Sequence, residues 1–173
     1  MTTRHAESPQ SNVEVIAATP DQESVLGNLF ELYAHDFSEF HGVEVGEDGR
    51  FGYPHLALYW SDAGRLPFLV RVKGKLAGFV LVRRGSELSG DPAIWDMAEF
   101  FILRGYRRQG VGLDVAHQVW KRVPGRWEIR VMESNRAGCE FWKRAIAGLT
   151  GESVRSTSFE KSGTAWCAFC FES

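Results

Sequence analysis

The chain has 173 residues, of which 44% are apolar and 24% charged, with a formal net charge of -2 at pH 7. That length suits one domain, which buries roughly 70% of the surface its unfolded chain exposes. The small net charge supplies no basic field and argues against a nucleic acid partner. No apolar run approaches the roughly 20 residues needed to span a bilayer, so no membrane association is expected.

Residues 1–12 are polar and read as a flexible tail ahead of a single domain, 13–173, expected in the cytoplasm. The three cysteines form an odd set, which fits a reducing compartment better than a disulfide framework. Cys167 and Cys170 have zinc-like spacing but sit in an apolar, strand-like tail without a second pair, so no metal is expected.

Val13 to Ala18 reads as a first strand, and Thr19, Pro20 and Gln22 supply a capping box with proline in the first turn. Leu26, Leu29, Phe30, Tyr33 and Phe37 then recur at helical spacing, followed by a glycine- and acid-rich loop from Gly42 to Pro54. Phe68 to Val72 and Ala77 to Val82 predict an antiparallel hairpin around Lys73-Gly74-Lys75. Ile94 to Leu103 is a fourth strand whose end lacks alternation and is therefore buried on both faces. Val111 to Trp120 marks a helix, Trp127 to Met132 a strand, and Asn135 to Ile146 a last helix. Ser153 to Glu160 and Thr164 to Phe171 close the chain as a hairpin around Lys161-Ser162-Gly163. The order predicts an α/β (α+β) fold, a mixed and mostly antiparallel central sheet of about seven strands with helices on both faces.

Between the buried fourth strand and the next helix runs Tyr106-Arg107-Arg108-Gln109-Gly110-Val111-Gly112. Free N–H groups at a helix start attract anions, glycines admit a phosphate close to the backbone, and Arg107 and Arg108 can add charge-assisted hydrogen bonds. A Walker loop would need Gly-Lys-Ser/Thr, which is missing, and a dinucleotide fingerprint would need a glycine where Val115 stands. The plain alternative is a tight turn with solvated arginines.

With these residues the chain resembles the GNAT superfamily of acyl-CoA-dependent N-acyltransferases, whose pyrophosphate loop follows Gln/Arg-x-x-Gly-x-Gly/Ala. Arg107-x-x-Gly110-x-Gly112 matches it. The resemblance implies acetyl-CoA as cosubstrate, held by Arg107, Arg108, Gln109, Gly110, Val111 and Gly112. It also implies that the backbone of Phe100, Phe101 and Ile102 receives the pantetheine arm where the fourth strand splays from its neighbour. Downstream, Asn135 with Gly138, Phe141 and Trp142 is similar to the family's Asn-x-x-Ala-x-x-Phe-Tyr. Asn135 is accordingly a coenzyme contact, a helix cap, or both. Trp142 replaces the family's frequent tyrosine and is no practical acid. Gly138 replaces alanine, which weakens a helix by roughly 1 kcal/mol unless something packs closely there.

Attack on a thioester needs an uncharged amine and hence a base. Asp96 and Glu99 precede the coenzyme-binding stretch among apolar neighbours that raise a carboxyl pKa, and either can instead be ion-paired with an arginine. Strict alternation sets the two on opposite faces unless a bulge intervenes; Glu99 is preferred. Tyr33 or Tyr59, or a water, is the expected stand-in for the missing acid. His35 and Glu39 lack a third metal ligand, and Asp36, Glu39, Glu44, Glu47 and Asp48 form either an acidic mouth or a solvated face. The expected activity is acetyl transfer from acetyl-CoA to a primary amine of a small molecule or peptide in a ternary complex, in an assembly that admits a homodimer. A noncatalytic acyl-CoA-binding domain is the alternative.

Overall fold

The computed structural model describes residues 12–173, so all of the expected tail except Asn12 lies outside the described residues. The elements are β1 (Val13–Ala17), α1 (Glu23–Phe37), α2 (Leu58–Ser61), β2 (Arg65–Val72), β3 (Lys75–Arg84), β4 (Trp95–Ile102), α3 (Val111–Arg122), β5 (Arg126–Met132), α4 (Arg136–Thr150), β6 (Ser156–Lys161) and β7 (Thr164–Glu172). One seven-stranded sheet has the order β1-β2-β3-β4-β5-β7-β6, antiparallel throughout except for the β4–β5 pair. Both hairpin turns take left-handed backbone at the residues the sequence marks, Lys73 and Gly74 (φ 50° and 75°) and Ser162 and Gly163 (52° and 74°).

Each face of the sheet has its own core. Leu26, Leu29, Phe30 and Ala34 of α1 pack on Leu69, Phe79, Leu81 and Phe101, with Tyr59 of α2 beside them. On the other face Val115, Val119 and Trp120 of α3 and Trp142, Ala145 and Ile146 of α4 pack on Val70, Val80, Ile129 and Phe169.

β2 begins earlier than the sequence suggests, at Arg65, and contains Pro67. The Ala18 N–H donates to Pro67 C=O at 2.9 Å, but proline has no N–H to return. Trp60 Nε1 of α2 donates to the Ala18 carbonyl instead, at 3.0 Å. The short helix, absent from the sequence reading, thus supplies a hydrogen bond that the sheet lacks.

β3 and β4 approach most closely at Gly78, where a Cβ would lie 2.0 Å from the Phe101 carbonyl oxygen. Gly78→Ala is therefore expected to lower stability by about 3 kcal/mol, measurable by urea denaturation, because backbone atoms must move to admit the methyl.

Candidate functional site

β4 and β5 pair at two positions only, Trp95↔Trp127 and Asp96↔Glu128. Beyond them β4 stays with β3 as far as Ile102, and β5 stays with β7 as far as Met132. The two edges diverge into the V-shaped opening implied by the family resemblance. The Leu103 N–H donates to Ala77 C=O at 2.8 Å, so by the two-residue period the polar groups of Phe101 also face β3. Those of Phe100 and Ile102 face the opening. This narrows the expected backbone contacts from three residues to two.

At the mouth of the opening, a 3-10 turn (Arg104–Tyr106) leads through Arg108 (φ 59°) and Gly110 (φ 80°) into α3. The Asp114 N–H donates to Gly110 C=O at 3.1 Å, leaving the first four N–H groups of the helix start, Gly110 to Leu113, without helical carbonyls. A Cβ on Gly110 would meet nothing within 4 Å, so space for an anion lies over those donors. Gly112 serves a different purpose, since its Cβ would sit 3.1 Å from Phe141 Cε2. The third residue of the motif lets α3 pack against α4.

Not every loop side chain faces this space. Arg107, expected to bind phosphate, turns back. Its Nε donates to Ile102 C=O at 2.6 Å, its Nη2 donates to Asp36 at 2.6 Å, and its guanidinium lies 5.5 Å from the centroid of the Phe101 ring. Arg104 joins it on Asp36 at 2.7 Å. Although partial burial opposes ionisation, hydrogen bonds from Arg104 and Arg107 hold the Asp36 carboxyl below its usual range. Asp36 is thus a tie between the end of α1 and the loop, rather than part of the acidic mouth that the sequence allows. Gln109 bonds back to Gly105 C=O at 2.9 Å, and Val111 is core. Arg108 stays exposed and makes no ion pair among the described residues.

Asn135 caps α4, its Oδ1 accepting from the Gly138 N–H at 2.9 Å. A Cβ at position 138 would fall 2.7 Å from Asn135 Nδ2, which explains glycine where the family has alanine. Trp142 packs among Phe100, Phe141 and Trp120, with centroids 4.9, 4.8 and 6.1 Å away.

The two carboxylates of β4 share a face. Met97 pairs with Val82 and Glu99 with Leu81, leaving Ala98 as an extra residue, a bulge. Asp96, fully buried, binds Arg83 Nε at 2.8 Å and Arg130 Nη2 at 2.7 Å. The ion-pair alternative for Asp96 is therefore the observed arrangement. Beside it, buried Glu128 accepts from Ser86 Oγ and, at 3.1 Å, from the Glu87 N–H. Glu99 has no arginine in direct contact, and the hydroxyls of Tyr33 and Tyr53 are its hydrogen-bonding neighbours. Burial pushes its carboxyl up; Tyr33 opposes that, the Asp96 charge reinforces it, and the result is about 7.

Among the described residues no group of three or more His, Cys, Asp or Glu can hold a metal, and no helix is long and apolar enough to cross a membrane. Cys167 and Cys170 fall on opposite faces of β7; the Cys167 thiol lies 3.1 Å from that of Cys139.

An opened sheet edge, an anion-receptive helix start at its mouth and a half-buried carboxylate on the same strand define a coenzyme-dependent group transferase. Solved structures share the fold. An acetyltransferase from Thermus thermophilus superposes with a TM-score of 0.68 at 14% identity over 93% of this chain and 97% of its own. YncA from Salmonella typhimurium, with its cofactor acetyl-CoA, gives 0.62 at 10% identity over 93% and 94%. Spermidine N-acetyltransferase from Vibrio cholerae, in complex with CoA and spermine, gives 0.64 at 13% over 94% and 96%. No curated protein matches the chain. The model of the acetyltransferase (GNAT) family matches residues 26–146, and the chain belongs to that family, a class of acyl-CoA-dependent N-acyltransferases.

Removing one partner from a buried ion pair strands the others without solvent. Asp96→Ala is expected to lower unfolding free energy by about 3 to 5 kcal/mol in a denaturant titration.

Proposed function

We propose that the protein transfers the acetyl group of acetyl-CoA to a primary amine by direct attack in a ternary complex. The observation that carries this reading is the placement of Glu99 on the α1 face of β4, next to Phe100, whose backbone faces the opening. The pyrophosphate sits on the N–H groups of Gly110 to Leu113 with Arg108 alongside, and the pantetheine arm lies along Phe100 and Ile102 within reach of Asn135 Nδ2. The amine arrives from the α1 side as an ammonium. Glu99 takes its proton, the freed lone pair attacks the thioester carbonyl, and the tetrahedral adduct collapses by expelling the coenzyme thiolate. Water protonates that thiolate, because Tyr33 is engaged with Glu99, Tyr59 is buried beneath α2 and the Trp142 indole is part of the core. Arg107 acts here through Asp36 as a brace of the loop, and Asp96 through its ion pairs as a support of β4.

A base near pH 7 works only once deprotonated, so kcat/KM should rise with pH through about 7 and level off above. Glu99→Gln is expected to lower the rate roughly a hundredfold at neutral pH with acetyl-CoA affinity nearly unchanged, and raising the pH should restore part of it. Coenzyme release would be followed against polyamines, amino acids, aminoglycosides and peptide N-termini; tight acetyl-CoA binding without turnover on any of them would favour a noncatalytic domain instead. Gly110→Glu places a carboxylate in the anion space, and calorimetry should show acetyl-CoA binding abolished in a folded variant.

A further inference from the structure

Glu99 is met from above by the segment between α1 and α2. Two backbone N–H groups of that segment are held by one carboxylate: Phe51 N–H donates to Glu31 Oε2 at 2.8 Å and Gly52 N–H donates to Oε1 at 3.0 Å. Gly52 takes a left-handed φ of 67° and directs the following residue inward. The Tyr53 ring stacks on Phe30 at 4.4 Å, and its hydroxyl reaches Glu99. Below it, Tyr33 is packed against the rings of Phe30, Phe37, Phe79 and Phe101, with centroids 5.3 to 5.8 Å away. Elsewhere the segment packs loosely on α1, leaving a cavity of about 480 Å³ lined by Gly27, Phe30, Arg50 and Tyr53. The Glu31 carboxylate is therefore a discrete latch.

We propose that Tyr33 and Tyr53 are positioning residues that fix the Glu99 carboxylate for proton removal, and that the Glu31 latch delivers Tyr53 to it. The inference rests on the assignment of Glu99 as base. A carboxylate has about four lone-pair sites, and two phenol donors occupy part of them, fixing its rotamer and leaving the remainder for the amine. The charged neighbours of Glu99 are Asp96 on its own strand and Arg130 on β5, with Arg83 of β3 held behind Asp96. Tyr59 of α2 and Arg65 of β2 act on it only through Tyr53. Burial and the Asp96 charge favour the protonated form, whereas Tyr33, Tyr53 and Arg130 favour the carboxylate. Losing a phenol donor must therefore raise the pH at which Glu99 ionises.

The test is a pH titration of the glutamate side-chain carbon by NMR in the full-length protein, with Glu99 assigned by its loss in Glu99→Gln. Tyr53→Phe and Tyr33→Phe should each move the Glu99 midpoint upward by on the order of one pH unit, as loss of a hydrogen bond to a charged group implies. The acid limb of kcat/KM should shift equally, with the plateau at high pH recovered and acetyl-CoA affinity unchanged. Glu31→Ala should reproduce the Tyr53→Phe shift and add nothing to it in the double variant. An unmoved midpoint in both tyrosine variants, or a rate that falls equally at every pH, would overturn the proposal. A midpoint that shifts while Glu99→Gln keeps wild-type turnover would leave the tyrosines as neighbours of an acid that is not the base, and so reject the base assignment separately.

Discussion

The site depends on a buried cluster of charges at the point where β4 and β5 part. Asp96 and Glu128 face each other in the last register the two strands share, and like charges so placed would repel in a dry interior. Arg130 answers both, at 2.7 Å from Asp96 and 3.3 Å from Glu128, while Arg83 completes the coordination of Asp96 and passes to Glu87. Glu87 in turn meets Lys161 at the end of β6. Ion pairs of this kind are modest sources of net stability, but each member is expensive to remove singly. Their consequence here is geometric, because they hold the vertex of the opening while the strands beyond it separate.

The bulge at Ala98 lies immediately beyond that vertex. An extra residue bends and twists the strand that carries it, which turns β4 away from β5 and keeps it on β3. The same insertion moves Glu99 onto the face of Asp96 and α1. One irregularity thus opens the coenzyme groove and aims the carboxylate at the side from which the acceptor enters. Phe100 returns to the other face and packs on Trp142 and Phe141 against α4. Asp36 links the two halves, since it ends the helix that carries Tyr33 and braces both arginines of the phosphate loop.

Much of this is legible in the sequence because its determinants are local. Periodicity locates the helices, Lys73-Gly74 and Ser162-Gly163 locate the hairpins, and Gly110 with Gly112 locates the loop ahead of α3. The remainder depends on contacts that no local window contains. Arg107 reads as a phosphate ligand until Asp36, far upstream, is seen to hold it, and an inserted residue such as Ala98 is invisible to a count of alternating positions. Tyr53 sits in a loop without periodicity, so only the fold brings it to Glu99. Gly138 reads as a weak point in α4, and the structure shows the Asn135 cap filling the space of its side chain. The substitution of tryptophan at 142 is explained by packing, because its ring completes the cluster under Phe100.

Everything proposed for the reaction requires that coenzyme bind in the opening between β4 and β5 with its pyrophosphate on the start of α3. A titration of the nitrogen-15-labelled protein with coenzyme A, followed through backbone and asparagine side-chain amide shifts, reads this without reference to any acceptor. The largest changes are expected at Arg108 to Leu113, at Phe100 and Ile102, and at the Asn135 side chain, with Phe101 less affected because its amide is committed to β3. Changes gathered instead around Thr150 to Arg155 and Cys170 to Glu172, where a separate cavity of about 370 Å³ lies, with the loop amides unmoved, would contradict it.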